Sequence, residues 1–408
     1  MVKLVVLNVP GHGHVNPTLA VVAELVRRGH EVVYYNTADF RAKIEAAGAS
    51  FRAYPDDSLS ARDINQAVGG HNVVRVSLLL MRAAVTLMPF AVEALRREAP
   101  DAVIVDSVCL WGGYAAQSLN LPTIASHSTY ISKGTFGGMP LTDKLAFLAG
   151  VLPLLPAIVR ARRRLSQVAG PLPDSLFPVV GGLNIVYTSR ELQPDTAALD
   201  DRFRFVGPSL RSETASAPLP LPTDAPRPWV YVSLGTVHTD PAFLRAAVAA
   251  LAGRPGTLLL STGADPASLG PLPPNVVARA SMPQLALLAQ VDAFVTHAGM
   301  NSTQEALYYG APMVLAPQQT EQLLNARQVA RVGAGVIAGS TWRLGHTSAA
   351  DLRAALDRVL GDTAYATHAQ RVAQGLRQAG GPLRAADEIE AFVAAGQAAD
   401  AVSGDRAL

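Results

Sequence analysis

A chain of 408 residues is longer than one hydrophobic core normally organises, since cores stop growing at roughly 250–300 residues, so two domains are expected. Hydrophobic residues make up 49% and charged residues 16%, which excludes disorder through polarity, and 34 basic against 32 acidic side chains leave a formal charge of +2, no footprint for nucleic acid. The single cysteine, Cys109, excludes an internal disulfide, matches no zinc-ligand spacing and suits a reducing compartment.

The first apolar run, KLVVLNV from Lys3, is interrupted by Asn8, Pro10 and a Gly/His turn before a signal-peptide pattern completes, so no export and a cytoplasmic location are expected. It reads as a strand handing over to a helix across residues 15–28, with Gly11 and Gly13 relaxing the turn and Asn16 and Pro17 beginning the helix. EVVYY, a helix over 38–47, SFRAY, a long helix over 73–98, AVIVD and PTIAS follow. This is the βαβ rhythm of a parallel sheet covered on both faces. LAFLAGVLPLLPAIV, residues 145–159, precedes the basic RARRR of 160–164. It is shorter than the roughly 20 residues that span a bilayer and is broken by prolines, so a buried helix or the wall of an oily pocket is expected, with at most weak contact to a membrane surface.

RSETASAPLPLPTDAPRP, residues 211–228, has the composition of a linker. Beyond it the alternation restarts with WVYVSLG, a helix from Pro241, TLLLST, NVVARA, DAFVTH, a helix over 301–309, PMVLAP and a helix over 321–332. AADEIEAFVAA reads as an amphipathic helix that folds back, with a loose tail after Gly396. The expected architecture is α/β, two doubly wound, Rossmann-like domains facing across a cleft. An N-terminal domain (1–210) and a linker (211–228) precede a C-terminal domain (229–380), and a helix over 381–396 packs on the first domain. Ligands of such sheets bind at the carboxyl ends of the strands.

His14 stands at such an end, where the positive pole of a helix discourages protonation and keeps the imidazole a neutral base. Asp106, closing AVIVD, is a candidate to orient it, because neighbouring parallel strands end at the same edge. A capping Asp106 and a structural His14 are the alternatives, and His12 is read as structural. GHGHVN lacks the third glycine of G-x-G-x-x-G, and neither G-x-x-x-x-G-K-[ST] nor G-x-S-x-G occurs. In the second half, DAFVTHAGMNSTQEAL is a strand, a His/Gly turn and a helix start. Asn301, Ser302 and the open amides there suit a diphosphate, and Glu305 suits a pair of ribose hydroxyls.

These segments, from GHGHVNP to the C-terminal helix, resemble glycosyltransferase family 1 with the GT-B fold, most closely the bacterial macrolide and natural-product glycosyltransferases. The resemblance implies that His14 of the H-x-x-P pattern is the general base and that Asp106 supports it. It implies a donor set in which Met282 and Gln284 meet the nucleobase and His297, Asn301 and Ser302 meet the diphosphate, with Ser281 and Gly299 also donor-binding. Glu305 would meet the ribose, Glu321 and Gln322 the sugar hydroxyls, and Gly235 and Thr236 after VSL the phosphates. Ser281 stands where many relatives place a stacking tryptophan, a loss of about 1–3 kcal/mol if nothing replaces it.

The implied reaction is inverting transfer of a hexose from a UDP- or dTDP-sugar cosubstrate, UDP-glucose favoured, to a hydroxyl of a hydrophobic small molecule such as a macrolide, flavonoid or steroid. No D-x-D pair calls for a metal. Met81, Met88, Phe136 and Met139 are candidates for the acceptor wall. A nucleotide-sugar epimerase, a membrane-surface lipid glycosyltransferase and a noncatalytic sugar-nucleotide sensor are the rival readings. The sensor has no need of His14 and Asp106.

Overall fold

The computed structural model describes residues 1–55, 58–69, 73–131, 151–194, 199–210, 219, 221, 225–235, 240–251, 253–341 and 344–404. The chain divides into two compact units, one of residues 1–209 with the C-terminal segment from Gly380, the other of residues 210–379. Most of the 211–228 linker, with Thr236, Phe136 and Met139, lies outside the described residues.

The first unit is built on a parallel sheet of β1 (Lys3–Leu7), β2 (Glu31–Asn36), β3 (Ser50–Ala53), β4 (Ala102–Asp106), β5 (Thr123–His127), β6 (Leu183–Val186) and β7 (Phe203–Phe205), in the order β3-β2-β1-β4-β5-β6-β7. The period-two alternation of strand side chains sorts its apolar residues onto two faces. Val5, Leu7, Val33, Tyr35, Val103 and Val105 join one core, and Leu4, Val6, Val32, Tyr34 and Ile104 the other. Continuous apolar strands are therefore buried on both sides, each Leu or Val contributing roughly 1.5–3 kcal/mol relative to exposure.

The helix Val73–Glu98 covers the first face with Leu80, Met81, Ala84, Leu87, Met88, Ala91 and Leu95, which recur at the helical spacing of three and four. Its mean hydropathy and length would suffice for a membrane span, but this stripe is spent on the core. The helix His12–Arg27 covers the second face together with Ala385, Ala386, Ile389 and Val393 of the C-terminal helix, Gly381–Gly404. Arg28 pairs with Asp387 and Glu390 at 2.7 Å each, and His30 Nε2 with Glu390 Oε1 at 2.7 Å. That helix does not end in a loose tail at Gly396. The alanine-rich run that follows favours helix and carries it to Gly404.

Two further expectations need correction. The helix after β1 begins at His12, not Asn16, because extended Gly11 caps it and the Gly11 carbonyl already accepts from His14 N (3.0 Å) and Val15 N (2.9 Å). Pro17 consequently lies inside the helix. In the described part of the 145–159 stretch, Ala157 and Ile158 are partly buried against the core but Leu152, Leu155 and Val159 are 61%, 43% and 63% exposed, so it is not a buried helix. Pro153 and Pro156 mark a 3₁₀ turn and a helix start, and the helix Leu155–Ala169 turns Ala161 and Leu165, a later turn apart, to the core instead.

The second unit repeats the plan with β8 (Trp229–Ser233), β9 (Thr257–Ser261), β10 (Val276–Arg279), β11 (Ala293–Thr296), β12 (Met313–Leu315) and β13 (Gly335–Ile337), ordered β10-β9-β8-β11-β12-β13. Its core sets Val230, Val232, Leu258, Leu260, Val295 and Val314 against the helices Pro241–Leu251 and Ala349–Gly361. A reciprocal Ser348/Asp351 capping box starts the latter. In each unit the first strand lies between the second and the fourth. The chain therefore reverses its direction of winding there, and the turns after the first and fourth strands diverge, which is where such sheets form a crevice at the carboxyl edge.

Candidate active site

In the first unit that crevice lies between β1 and β4, paired in register from Leu4↔Ala102 to Leu7↔Val105. Asp106 closes β4, and His14 occupies the first turn of the helix that follows β1. His14 Nδ1 is 2.8 Å from Asp106 Oδ2. The other carboxylate oxygen, Oδ1, accepts from Val108 N at 2.9 Å, so the buried carboxylate is held at both oxygens. Because a carboxylate only accepts, the imidazole proton belongs on Nδ1, which leaves Nε2 with its lone pair. The His14 side chain is 23% exposed.

Two residues that sequence reasoning missed complete this arrangement. Ser128 Oγ, just beyond β5, lies 3.0 Å from His14 Nδ1. Asn8 Nδ2 donates to the His14 carbonyl at 3.2 Å and to Tyr34 Oη at 2.8 Å, while Thr18 Oγ1 joins that Tyr34 hydroxyl at 2.7 Å. The available signals were a polar residue ending an apolar strand and a serine at the carboxyl end of the next strand. His12 takes no part in this cluster: its Nδ1 lies 3.3 Å from Lys43 Nζ and its ring packs edge-on to Phe40. Burial, then the Lys43 charge, lowers its pKa. Met81 and Met88 are packed within the core of this unit.

The second unit places Gly235 and His297 after β8 and β11, the corresponding strands. A Cβ on Gly235 would lie 2.9 Å from His297 Cε1, and one on Gly299 would collide with Nε2. Two glycines thus form the slot that holds the imidazole. Between His297 and Gly299, Ala298 takes φ +62°, a left-handed conformation that costs a non-glycine residue on the order of 1–3 kcal/mol. Gly299, which has no side chain to offer its amides, then caps the helix Met300–Tyr309. Its dipole and first-turn amides, at Met300, Asn301 and Ser302, are directed to the carboxyl edge, a geometry suited to a diphosphate.

Gln284, at the start of the helix Gln284–Leu288, donates through Nε2 to Glu305 Oε2 at 2.5 Å and to Ser302 Oγ at 3.2 Å, and Tyr231 Oη donates to Gln284 Oε1 at 3.2 Å. Gln284, Ser302 and Glu305 therefore form one network. Burial pushes the Glu305 carboxyl up to about 7, against the opposing pull of the Gln284 hydrogen bond. Ser281 is exposed beyond β10, and Met282 beside it is buried. Exposed Glu321 and buried Gln322 lie in the first turn of the helix Thr320–Arg331, where Gln322 Oε1 accepts from Gln318 N at 2.8 Å. One turn on, Asn325 Nδ2 donates to the Ala298 carbonyl at 3.0 Å, a third residue that sequence reasoning missed.

Residues 225–377 match the family model described as UDP-glucoronosyl and UDP-glucosyl transferase. The chain is 32% identical over 394 residues to the NDP-glycosyltransferase YjiC of Bacillus subtilis, covering 95% of this chain and 96% of that one. It is 31% identical to the demethyllactenocin mycarosyltransferase of Streptomyces fradiae, covering 94% and 85%. Its structure matches that of CalG4, the calicheamicin glycosyltransferase, with a TM-score of 0.77, 32% identity and coverage of 97% and 98%. With two Rossmann-like units of the GT-B class and this similarity along nearly its whole length, the chain belongs to the UDP-glucoronosyl and UDP-glucosyl transferase family and is a sugar-nucleotide-dependent glycosyltransferase.

Proposed function

We propose that the protein transfers a hexose, with inversion, from UDP-glucose or a related nucleotide sugar to a hydroxyl of a hydrophobic natural product such as a macrolide or polyphenol. The observation that carries this reading is the His14–Asp106 pair, 2.8 Å apart at the carboxyl edge of the first sheet; an Nδ1–H donated to the carboxylate makes Nε2 the basic nitrogen. His14 Nε2 takes the proton of the acceptor hydroxyl as that oxygen forms its bond to the anomeric carbon. The bond from that carbon to the diphosphate oxygen breaks, and its electron pair leaves with the nucleoside diphosphate. Asp106 steadies the imidazolium so formed.

The leaving diphosphate gains charge as the bond breaks. His297, Ser302 and the N-terminus of the helix Met300–Tyr309 are the groups assigned to receive it. Glu305 is assigned to the ribose, Gln284 and Met282 to the base, and Glu321 and Gln322 to the sugar. Similarity to enzymes named for demethyllactenocin and calicheamicin supports a natural-product acceptor. The test is a mass-spectrometric screen of UDP-glucose and dTDP-glucose against mixed hydrophobic alcohols and phenols. Glycosylated acceptor that disappears in a folded His14→Ala variant supports the reading, whereas donor conversion without any acceptor would replace it with epimerisation.

A further inference from the structure

The helix Thr320–Arg331 offers Glu321 and Gln322 from its first turn, and its next turn reaches toward a different part of the unit. Asn325 is 2% exposed, and its Nδ2 donates to the Ala298 carbonyl at 3.0 Å. That carbonyl belongs to the residue held at φ +62°, between the His297 imidazole and the Gly299 cap. Rotating the backbone at Ala298 to a more common conformation would carry the carbonyl away from Asn325. The same rotation would turn Gly299 and the first amides of the helix Met300–Tyr309 and close the slot that holds His297.

A buried amide in this place is specific chemistry. The Ala298 carbonyl needs a donor, which Asn325 supplies and which Asp, Leu or Ala at the same position would not. The same helix also holds Gln322, whose Oε1 accepts from Gln318 N. One rigid element therefore fixes both the turn assigned to the diphosphate and a side chain assigned to the sugar.

We propose that Asn325 is a positioning residue for the donor: by clamping the left-handed turn at Ala298 it sets His297 and the helix amides where a nucleoside diphosphate binds. This rests on reading the second unit as the donor site. Asn325 touches no substrate, and its influence passes through the turn. Glycine at position 298 would hold positive φ without help, so the need for the clamp is removable.

The test measures UDP affinity by calorimetry and steady-state kinetics in wild type, Asn325→Ala, and the double variant Asn325→Ala with Ala298→Gly. Asn325→Ala should weaken UDP binding and raise the donor KM by about tenfold, the loss expected for one buried hydrogen bond, with the acceptor KM within about twofold of wild type. The double variant should recover most of the UDP affinity, which a general loss of stability would not allow. If Asn325→Ala does not fold, Asn325→Asp keeps the volume, loses the donor and should show the same donor-specific loss. UDP affinity unchanged in a folded variant, or donor and acceptor KM rising together without rescue, overturns the proposal. Failure of wild type to bind UDP or dTDP overturns the donor-site reading itself, and the role of Asn325 with it.

Discussion

Asp106 reaches His14 Nδ1 at 2.8 Å from the neighbouring strand, and its second oxygen is tied to Val108 N at 2.9 Å. The carboxylate can neither swing away nor offer a donor. Replacing it with Asn keeps the shape but presents an amide that can donate to Nδ1 and favour the wrong tautomer. Asp106→Asn should therefore lower kcat by about 10²–10⁴ while leaving UDP binding within about twofold, as kinetics and calorimetry on the same preparation would show.

Ser128 addresses the same nitrogen from 3.0 Å but carries no charge to stabilise the imidazolium. Ser128→Ala should lower kcat by only about 3–10-fold, the loss of one neutral hydrogen bond. A loss as large as that of Asp106→Asn would mean that the hydroxyl, not the carboxylate, governs the imidazole.

Glu305 gives the account a pH dependence. Its folded-state pKa of about 7 lies above the ordinary carboxyl value of 4.5, so the folded protein binds this proton more tightly than the unfolded chain. The stabilisation is fully present below about 4.5 and is lost as pH rises through about 7. Glu305→Gln should remove that component, so its melting temperature relative to wild type should rise between pH 5 and 8. A carboxylate accepts from both ribose hydroxyls only when ionised, so wild-type UDP affinity should increase through the upper part of the same range and that of Glu305→Gln should not.

Gly299 has φ −61°, a conformation open to any residue, so its substitution tests space alone. Gly299→Ala collides with the His297 ring and should destabilise the protein by about 1–3 kcal/mol and abolish detectable UDP binding. Adding His297→Ala should restore the melting temperature without restoring the binding. Denaturation curves and calorimetry on the single and double variants separate the two effects.

The strands and most helices of both sheets were legible because burial on both faces leaves continuous apolar runs, and His14 with Asp106 was legible because parallel neighbours end at one edge. The rest depends on packing that local pattern does not encode. Pro17 mimics a helix start, yet the extended Gly11 places that start at His12. Leu152, Leu155 and Val159 have the composition of a core and lie on the surface, because the helix phase after Pro156 favours Ala161 and Leu165. Ser128 and Asn325 act on partners 114 and 27 residues away, and only the sheet order and helix docking bring them there. Gln284 and Glu305, 21 residues apart, were each assigned a place on the nucleotide, but their mutual hydrogen bond had no sequence signature.

The most direct test of His14 as the general base is turnover of UDP-glucose with a hydrophobic phenol by wild type and by His14→Ala, each shown to be folded and to bind UDP. The variant should retain UDP affinity within about twofold and lose about 10²–10⁴ in kcat. Near-wild-type glycoside formation by the folded variant would contradict that role.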